Sequence, residues 1–392
     1  MIDCLRSGWL TTGPKVKKFE AEFSKYLGHT HSVAVNSCTA ALHLALEAIG
    51  LKANEAVLVP TMTFAATAEV VRYFGATPLL VDCRPEDLNL DVADAAQKIE
   101  QAQAKGQRVT AIIPVHYAGQ IGDVTGVAAL AGRHGLRIIE DAAHCCPSYY
   151  RPSETSSWRG VGTSAEISCY SFYANKCITT GEGGMACTES DEHAERMRLM
   201  SLHGISHDAW KRFSDDGSWY YEIIAPGYKY NLTDLAAAIG LHQLRKADSL
   251  HRKRTHWAGL YSELLADTEE LILPATMPNR IHSWHLYSVR LKAECGIDRA
   301  QVISELKAAG IGASVHWMPL HLHPYYRECF GSKPSDCRCA TSIYPELISL
   351  PLYPDLTAKD VARVCSTLKQ IIRGARPKIS GAKFPLQSQP QV

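Results

Sequence analysis

The sequence predicts an α/β protein built on a mostly parallel sheet, because short apolar runs alternate with helical patterns from about residue 30 to 190. Residues 123–134 carry apolar side chains at helical spacing and stop before Gly135, which completes a strand, helix, strand unit. The candidate strands are residues 32–35, 56–59, 77–81, 111–115, 137–140 and 167–170.

Two domains are expected, since 392 residues exceed one ordinary core. A long helical segment covers residues 235–250, and a smaller α/β pattern follows it. There, Asp298 is predicted to cap a helix, and Thr357 with Asp360 form a capping box. The expected division is a large domain over residues 1–250, a small C-terminal domain over 251–372 and a disordered, Pro- and Gly-rich tail over 373–392.

The composition indicates a small-molecule partner. Net charge is +1 without a basic tract, which argues against nucleic acid and anionic membranes as partners. No apolar run approaches the roughly 18 residues of a membrane helix. The first residues lack the basic and apolar regions of a secretory signal, so a cytoplasmic location is expected.

No metal site is expected from the cysteines or histidines. The 13 cysteines are an odd number in a chain without an export signal, and we interpret them as reduced, packed thiols. The close pairs, Cys145 with Cys146 and Cys337 with Cys339, lack the CxxC spacing of zinc sites. The histidine-rich segment 316–323 does not match HExxH and is interpreted as a substrate or subunit contact.

Lys176 is the candidate catalytic residue. It lies between the strand at 167–170 and the glycine-rich turn 181–184, where the backbone can bend close to a ligand. A lysine in such a place can bond covalently to a carbonyl cofactor such as pyridoxal phosphate (PLP). Most of the 41 basic residues must be solvated surface groups, so the assignment depends on the surrounding pattern.

Two other strand ends could hold parts of such a cofactor. Residues 36–40 form a turn into a helix, whose free N–H groups near Thr39 and Ala40 suit a phosphate. An ordinary N-cap is the alternative there. Asp141 ends a buried strand, where open α/β sheets place their ligands, and it could raise the pKa of a pyridine nitrogen. An N-capping role is the alternative for Asp141.

Three further residues add to the pattern. Phe64 follows a strand end and could stack on a planar ring, although an isolated Phe is usually core. His144 could bond the ring hydroxyl if the chain turns into a helix after Asp141, and a packed histidine is the alternative. Ser171 could supply a second hydroxyl to the phosphate. Their order on successive strand ends of one domain favours a single PLP site.

The motifs together resemble one family. Residues 8–14, 81–82, 114–119, 140–144, 171–176 and 181–184 are similar to the DegT/DnrJ/StrS family of PLP-dependent sugar aminotransferases, over the chain to about residue 372. The resemblance implies a PLP-dependent transferase of fold type I, like aspartate aminotransferase, with a seven-stranded sheet. It also implies that PLP is bound covalently to Lys176, that Asp141 pairs with the ring nitrogen, and that Thr39, Ala40 and Ser171 hold the phosphate.

The same resemblance implies transfer of an amino group from L-glutamate to a nucleotide-linked keto sugar, for amino-sugar or cell-surface polysaccharide (lipopolysaccharide) biosynthesis. Residues 226–234, 282–286 and 310–328 are similar to aminotransferases that make UDP-4-amino-4-deoxy-L-arabinose, and residues 175–185 to perosamine-type enzymes. Both types aminate C4. A homodimer with shared active sites is implied, in which Lys229 or Asn231 reaches the partner's cofactor phosphate.

Three alternatives remain open at this point. A PLP-dependent sugar dehydratase has histidine in place of the lysine, so Lys176 argues against it. A non-catalytic PLP-binding regulatory protein could use the same scaffold. A nicotinamide enzyme is disfavoured because Gly160-Val-Gly162 lacks the GxGxxG spacing.

Overall fold

The structure is a computed structural model that describes residues 1–205 and 221–374. The strands are β1 (His31–Val35), β2 (Ala56–Pro60), β3 (Thr77–Val81), β4 (Val109–Ile112), β5 (Arg137–Asp141), β6 (Tyr149–Tyr150), β7 (Arg159–Gly160), β8 (Ile167–Ser171), β9 (Gly184–Thr188), β10 (Leu271–Ile272), β11 (Arg280–Ile281), β12 (Tyr287–Leu291) and β13 (Leu347–Leu350). The helices are α1 (Ile2–Ser7), α2 (Pro14–Leu27), α3 (Cys38–Ala48), α4 (Ala66–Tyr73), α5 (Val92–Ala104), α6 (Val124–His134), α7 (Asp191–Ser201), α8 (Asp234–Leu244), α9 (Ala247–Leu265), α10 (Arg299–Ala308), α11 (Pro324–Phe330), α12 (Arg338–Ile343) and α13 (Ala358–Gly374).

Seven strands form the main sheet in the order β1-β9-β8-β5-β4-β2-β3. The pairs β8 with β5, β5 with β4, β4 with β2 and β2 with β3 are parallel. Strand β9 runs antiparallel to both of its neighbours, β1 and β8. The predicted mostly parallel sheet is therefore confirmed, and β1 is parallel to the other five strands.

The predicted strand at residues 111–115 is misplaced, because the ladder strand β4 spans Val109–Ile112. Beyond β4 the chain still bonds its neighbours, since the N–H of Ile113 donates to the Leu58 carbonyl at 2.8 Å and an isolated bridge joins Val115 to Asp141. Ile113 and Val115 are also buried, so the apolar run marks a buried segment that extends past the end of the regular ladder.

Local sequence signals explain most helix ends. Asp123 caps α6 by accepting the N–H of Gly126 at 2.9 Å, and the helix ends at Gly135 with φ of 64°. Asp298 caps α10 by accepting the N–H of Gln301 at 2.9 Å, as predicted. The predicted continuous segment at 235–250 is wrong, since α8 and α9 are separate helices that meet at residues 245–246.

A second core lies under the antiparallel sheet β10-β12-β13. Helices α9, α10 and α13 cover it, and the last opens with the predicted capping box, in which Asp360 N–H donates to the Thr357 hydroxyl at 3.2 Å. Ala247 packs in the core of the main sheet and Ala258 in this second core, so α9 runs through both. The domain boundary near residue 250 remains a prediction.

The predicted disordered tail falls mostly outside the described residues. Residues 373–374 are the last of α13, and residues 375–392 are not described. Within residues 1–205 and 221–374, no helix combines the length and apolarity needed to cross a membrane.

Glu20 on α2 should make the stability of the fold depend on pH. Its carboxyl accepts the N–H of Ala34 at 2.8 Å, and burial raises its pKa from 4.5 to about 7. Ionisation is therefore harder in the folded state, and stability falls as the pH rises from about 4.5 to about 7. Glu20→Gln keeps the acceptor without the charge, so we expect the free energy of unfolding at pH 8 to rise by about 1–3 kcal/mol.

Urea unfolding at pH 4 and pH 8 checks this expectation. The gain from Glu20→Gln should disappear at pH 4, where the carboxyl is protonated in both states. Glu100→Gln, at an exposed position on α5, is the control and should leave the pH dependence unchanged. Equal gains at both pH values would contradict the role given to the buried charge.

Candidate active site

A cavity of about 350 Å³ opens at the carboxyl ends of the parallel strands. Its wall includes residues that follow β1, β2, β4, β5 and β8, the edge at which open α/β sheets bind ligands. Six of the predicted site residues line it: Thr39, Phe64, Asp141, His144, Ser171 and Lys176. The sheet thus brings together side chains that are far apart in the sequence.

Asp141 is the last residue of β5 and is 6% exposed. Its Oδ2 accepts the Thr67 hydroxyl at 2.8 Å, and its Oδ1 accepts the N–H of Ala143 at 3.1 Å. Burial raises the pKa of Asp141, while these two hydrogen bonds and the nearby Lys176 oppose the shift. The carboxyl is held in one orientation and would gain from a cationic partner in the cavity.

Lys176 lies in the turn after β8, where its N–H donates to the Tyr173 carbonyl at 3.0 Å. The side chain is half-buried on the cavity wall. Burial lowers the pKa of Lys176, and the neighbouring Cys38 and Asp141 offset part of that shift. A lowered pKa increases the share of free amine, the form that acts as a nucleophile and accepts a proton.

His144 follows Asp141 in a turn, so the helix on which its predicted role depended is absent at residues 142–148. Its ring stacks on Trp317 at 5.0 Å between centroids and lies 4.2 Å from the ring of His285. Burial, and then the charge of Lys176, hold the pKa of His144 well below its usual range. Its buried Nδ1 has no hydrogen-bond partner among the described residues. A neutral imidazole therefore lines the cavity, and its unpartnered Nδ1 is enclosed by protein.

The N-terminus of α3 closes another side of the cavity. The Thr39 hydroxyl, in its first turn, makes no hydrogen bond within the described ranges. Ser171, 8% exposed, ends β8 on the same wall. Gly184 packs against this turn so closely that a Cβ would lie 2.4 Å from the Ser37 carbonyl oxygen.

These groups fit PLP. The anchored carboxylate suits a pyridinium nitrogen, and the ring of His144 lines the same cavity. The helix N-terminus with the Thr39 and Ser171 hydroxyls suits a phosphate, and the amine of Lys176 suits the aldehyde. Phe64, whose ring is 61% exposed, offers an apolar face at the mouth.

Three of the predicted residues are not on the cavity wall. The N–H of Ala40 already donates to the Ser37 hydroxyl at 3.1 Å, and the residue is 2% exposed. Lys229 hydrogen-bonds through its amine to the Asn231 side chain, and Asn231 donates to the Thr12 hydroxyl at 2.8 Å. Their expected contact with a partner's phosphate remains a prediction.

The structure adds wall residues that sequence reasoning did not assign to the cofactor site. Thr67 stands behind Asp141, and the Thr63 hydroxyl lies 2.7 Å from that of Thr67. His285 and Trp317 come from the C-terminal part of the chain and face His144. The available signal for Trp317 was its place in the histidine-rich segment 316–323.

The histidines of that segment have separate roles. His316 lines the cavity, as expected of a substrate contact. His321 is fully buried, with the Thr61 hydroxyl 2.7 Å from its Nδ1 and the Thr341 hydroxyl 2.8 Å from its Nε2. His323 Nε2 lies 3.2 Å from the Met318 carbonyl. All 13 cysteines are free thiols.

Removing the Thr67 hydroxyl should weaken catalysis by loosening Asp141. Thr67→Val keeps the shape but deletes a hydrogen bond to a charged group, which contributes about 1.5–3 kcal/mol. We therefore expect kcat/KM to fall by about 10- to 100-fold in steady-state assays. Thr67→Ser retains the hydroxyl and is the control. Equal activity of the Val and Ser variants would show that the hydroxyl does not support Asp141.

Comparisons with known proteins agree with this geometry. The model of the DegT/DnrJ/EryC1/StrS aminotransferase family matches residues 1–369. SpsC of Bacillus subtilis, a spore coat polysaccharide biosynthesis protein, is 42% identical over 96% of this chain and 94% of its own. Spr1654 of Streptococcus pneumoniae in its PMP form superposes with a TM-score of 0.88 at 30% identity, covering 96% of both chains. The sugar aminotransferase CalS13 of Micromonospora echinospora superposes with a TM-score of 0.81 at 28% identity, covering 93% of this chain and 94% of its own.

The fold and the cavity define a PLP-dependent aminotransferase of fold type I. A solved neighbour is known in both PLP and PMP forms, the two cofactor states of transamination. The chain belongs to the DegT/DnrJ/EryC1/StrS aminotransferase family.

Proposed function

We propose that this enzyme transfers an amino group from L-glutamate to C4 of a nucleotide-linked keto sugar. The observation that carries the proposal is the amine of Lys176 on the same cavity wall as the anchored carboxylate of Asp141. The sugar is supported by relatives, since CalS13 is a sugar aminotransferase and SpsC takes part in polysaccharide biosynthesis. The C4 position, the nucleotide and the glutamate donor follow from the motif resemblance.

The chain's own groups suit this reaction. Bound PLP would supply a cationic ring that draws electrons from the substrate Cα. The amine of Lys176, kept partly neutral by burial, would accept the proton released from Cα and return it later. The carboxylate of Asp141, held by Thr67 and Ala143, would keep the ring nitrogen charged.

The remaining wall residues can bind and orient substrate. His285 and His316 line the cavity together with Asn175 and Glu182. Burial lowers the pKa values of both histidines, which favours neutral rings that exchange hydrogen bonds with sugar hydroxyls. The wall therefore presents polar groups to the substrate, and its imidazoles are not permanently charged.

We propose cell-surface polysaccharide biosynthesis as the pathway, on the precedent of SpsC. The cytoplasmic location expected from the sequence is retained as a prediction.

We also propose a homodimer in which each active site uses both chains. Large apolar side chains are exposed at the cavity mouth, Phe64 by 61% and Tyr173 by 47%. Ile223 and Ile224 are 68% and 60% exposed on the segment that leads to Lys229. Exposed apolar groups of this size are characteristic of association surfaces, and a second copy would cover them.

Mixing two inactive variants tests the shared site. Lys176→Ala disables a chain's own cavity, and a chain with Asn231→Ala and Lys229→Ala would disable its partner's. In a mixed dimer one of the two sites is intact, so random exchange of subunits should restore about a quarter of wild-type activity. No restoration, or full activity of the Asn231 and Lys229 double variant alone, would contradict the shared site.

The substrate proposal is tested with purified protein, PLP, L-glutamate and a panel of nucleotide-linked 4-keto and 3-keto sugars. Mass spectrometry of the products should find an amine on a 4-keto sugar and 2-oxoglutarate in equal amount. The Lys176→Ala protein is the matched control. Amination only of 3-keto sugars would overturn the C4 assignment, and no amination of any sugar would overturn the sugar substrate.

A further inference from the structure

Two cysteines outside the active-site cavity are far apart in the sequence but lie next to each other in the fold. Cys83 follows β3, and Cys339 is in α12, 256 positions later in the chain. The Cys83 thiol donates to the Cys339 sulfur at 4.0 Å. Cys83 is 1% exposed, while Cys339 is partly exposed to solvent.

One carboxylate fixes the backbones of both cysteines. Asp82 accepts the N–H of Cys83 at 2.8 Å and the N–H of Cys339 at 2.8 Å. It also accepts the N–H of Ala340 at 2.9 Å. The two thiols are therefore held side by side by hydrogen bonds that do not depend on the sulfurs, and rotation of their side chains can close the remaining gap of about 2 Å.

The two thiols differ chemically. The hydrogen bond from Cys83 lowers the pKa of Cys339, and the charge of Arg290 acts in the same direction, against burial and Asp82. The same hydrogen bond and burial raise the pKa of Cys83, which stays protonated. Cys339 is thus the more reactive and more accessible thiol, with Cys83 placed as its resolving partner.

The same cluster of Asp82, Cys83 and Cys339 has ligand atoms close enough for a metal ion. However, the carboxylate of Asp82 already accepts three backbone N–H groups, which use about three of its roughly four acceptor sites. Hydrogen bonding to backbone is the use that the geometry supports for this carboxylate.

We propose that Cys83 and Cys339 are a modification site that forms a reversible disulfide with a small peroxide as the oxidant. The Cys339 thiolate attacks the peroxide, breaks its O–O bond and becomes a sulfenic acid, while the other oxygen leaves as water after protonation. The Cys83 thiol then attacks the Cys339 sulfur, so that the S–S bond forms as the S–O bond breaks, and its proton leaves with the hydroxyl as a second water. Two thiols and one hydrogen peroxide thus give one disulfide and two waters, and an added dithiol restores the thiols.

The disulfide would tie α12 to the main sheet behind the active site. Cys83 and Cys339 pack in one apolar cluster with Met62 and Trp317. Trp317 is a wall residue of the cavity, and Met62 immediately precedes Thr63 and Phe64. Oxidation would therefore restrict movement of the cluster that packs against Trp317. This effect does not depend on which substrate the enzyme uses.

Peptide mapping of the wild-type holoenzyme tests the proposal. After stepwise addition of hydrogen peroxide, free thiols are alkylated and the protein is digested with trypsin. Arg338 separates Cys339 from Cys337, so Cys339 falls in peptide 339–359 and Cys83 in peptide 73–98. We expect these two peptides to be joined at low peroxide and separate after dithiothreitol. Recovery of Cys339 only as an alkylated or overoxidised thiol, or joined to another cysteine, would overturn the proposal.

Variants add a readout on the folded protein. Oxidation should raise the melting temperature of the wild-type holoenzyme by a few degrees, since a cross-link between distant residues restricts the unfolded chain. Cys83→Ser and Cys339→Ser should each abolish that shift, whereas Cys329→Ser, at an exposed thiol, should retain it. A shift of wild-type size in either Cys83→Ser or Cys339→Ser would also refute the pair.

Discussion

Replacing Lys176 with alanine is expected to abolish amino-group transfer. In the proposed mechanism, the variant loses both the covalent attachment point of the cofactor and the group that moves the substrate proton. Proton transfer by a positioned side chain alone contributes about 10²- to 10⁴-fold, so turnover should fall by at least that factor. The measurement is the rate of amine transfer with the PLP-loaded protein under saturating donor and acceptor.

The variant should still fold and bind cofactor, because the carboxylate of Asp141 and the N-terminus of α3 remain. Lys105→Ala, at an exposed position just after α5, is a matched control and should keep wild-type turnover. A Lys176→Ala enzyme that retains a tenth or more of the wild-type rate would contradict the assignment.

Asp141→Asn should cause the second large loss. The substitution keeps the size of the side chain and its contact with Thr67 but removes the negative charge from a buried position. A close carboxylate raises the pKa of a cationic partner by about 1–3 units, so the charged ring fraction should fall by about 10- to 10³-fold. Turnover should decrease in proportion, as measured by single-turnover kinetics with L-glutamate.

The pH profile separates this electrostatic role from a structural one. The activity of Asp141→Asn should recover partly as the pH falls, because protonation of the ring nitrogen then needs no carboxylate. Asp123→Asn, which can still cap α6, is the control and should leave turnover unchanged. A loss in Asp141→Asn that is the same at every pH would point to damage to the site rather than to a missing charge.

Local sequence patterns predict much of the fold. The predicted run at residues 77–81 coincides with β3, and the caps at Asp123 and Asp298 lie where the sequence predicts them. The sequence does not locate the seventh strand, β9, because Gly184–Thr188 begins in a glycine-rich turn and has none of the Val, Ile or aromatic residues typical of strands. The break between α8 and α9 has no Gly or Pro to mark it.

Site residues could be predicted from the sequence where they lie at the end of a strand. Asp141 and Ser171 each end a parallel strand, so topology alone places them at one edge. Thr67 was missed because its role is a hydrogen bond to the carboxylate of Asp141, which no local pattern around Thr67 shows. Trp317 and His285 were not assigned to the cofactor site because packing of the C-terminal part of the chain brings them to His144. The histidine-rich segment that contains Trp317 predicted only a substrate or subunit contact.

The most direct test of the central claim is to locate the cofactor on the chain. The holoenzyme is treated with borohydride, which fixes a cofactor bound to a lysine, and is then digested with trypsin. A modified Lys176 resists cleavage, so PLP should be found on the single peptide 160–196. Cofactor on another lysine, or cleavage of this region into unmodified peptides 160–176 and 177–196, would contradict the account.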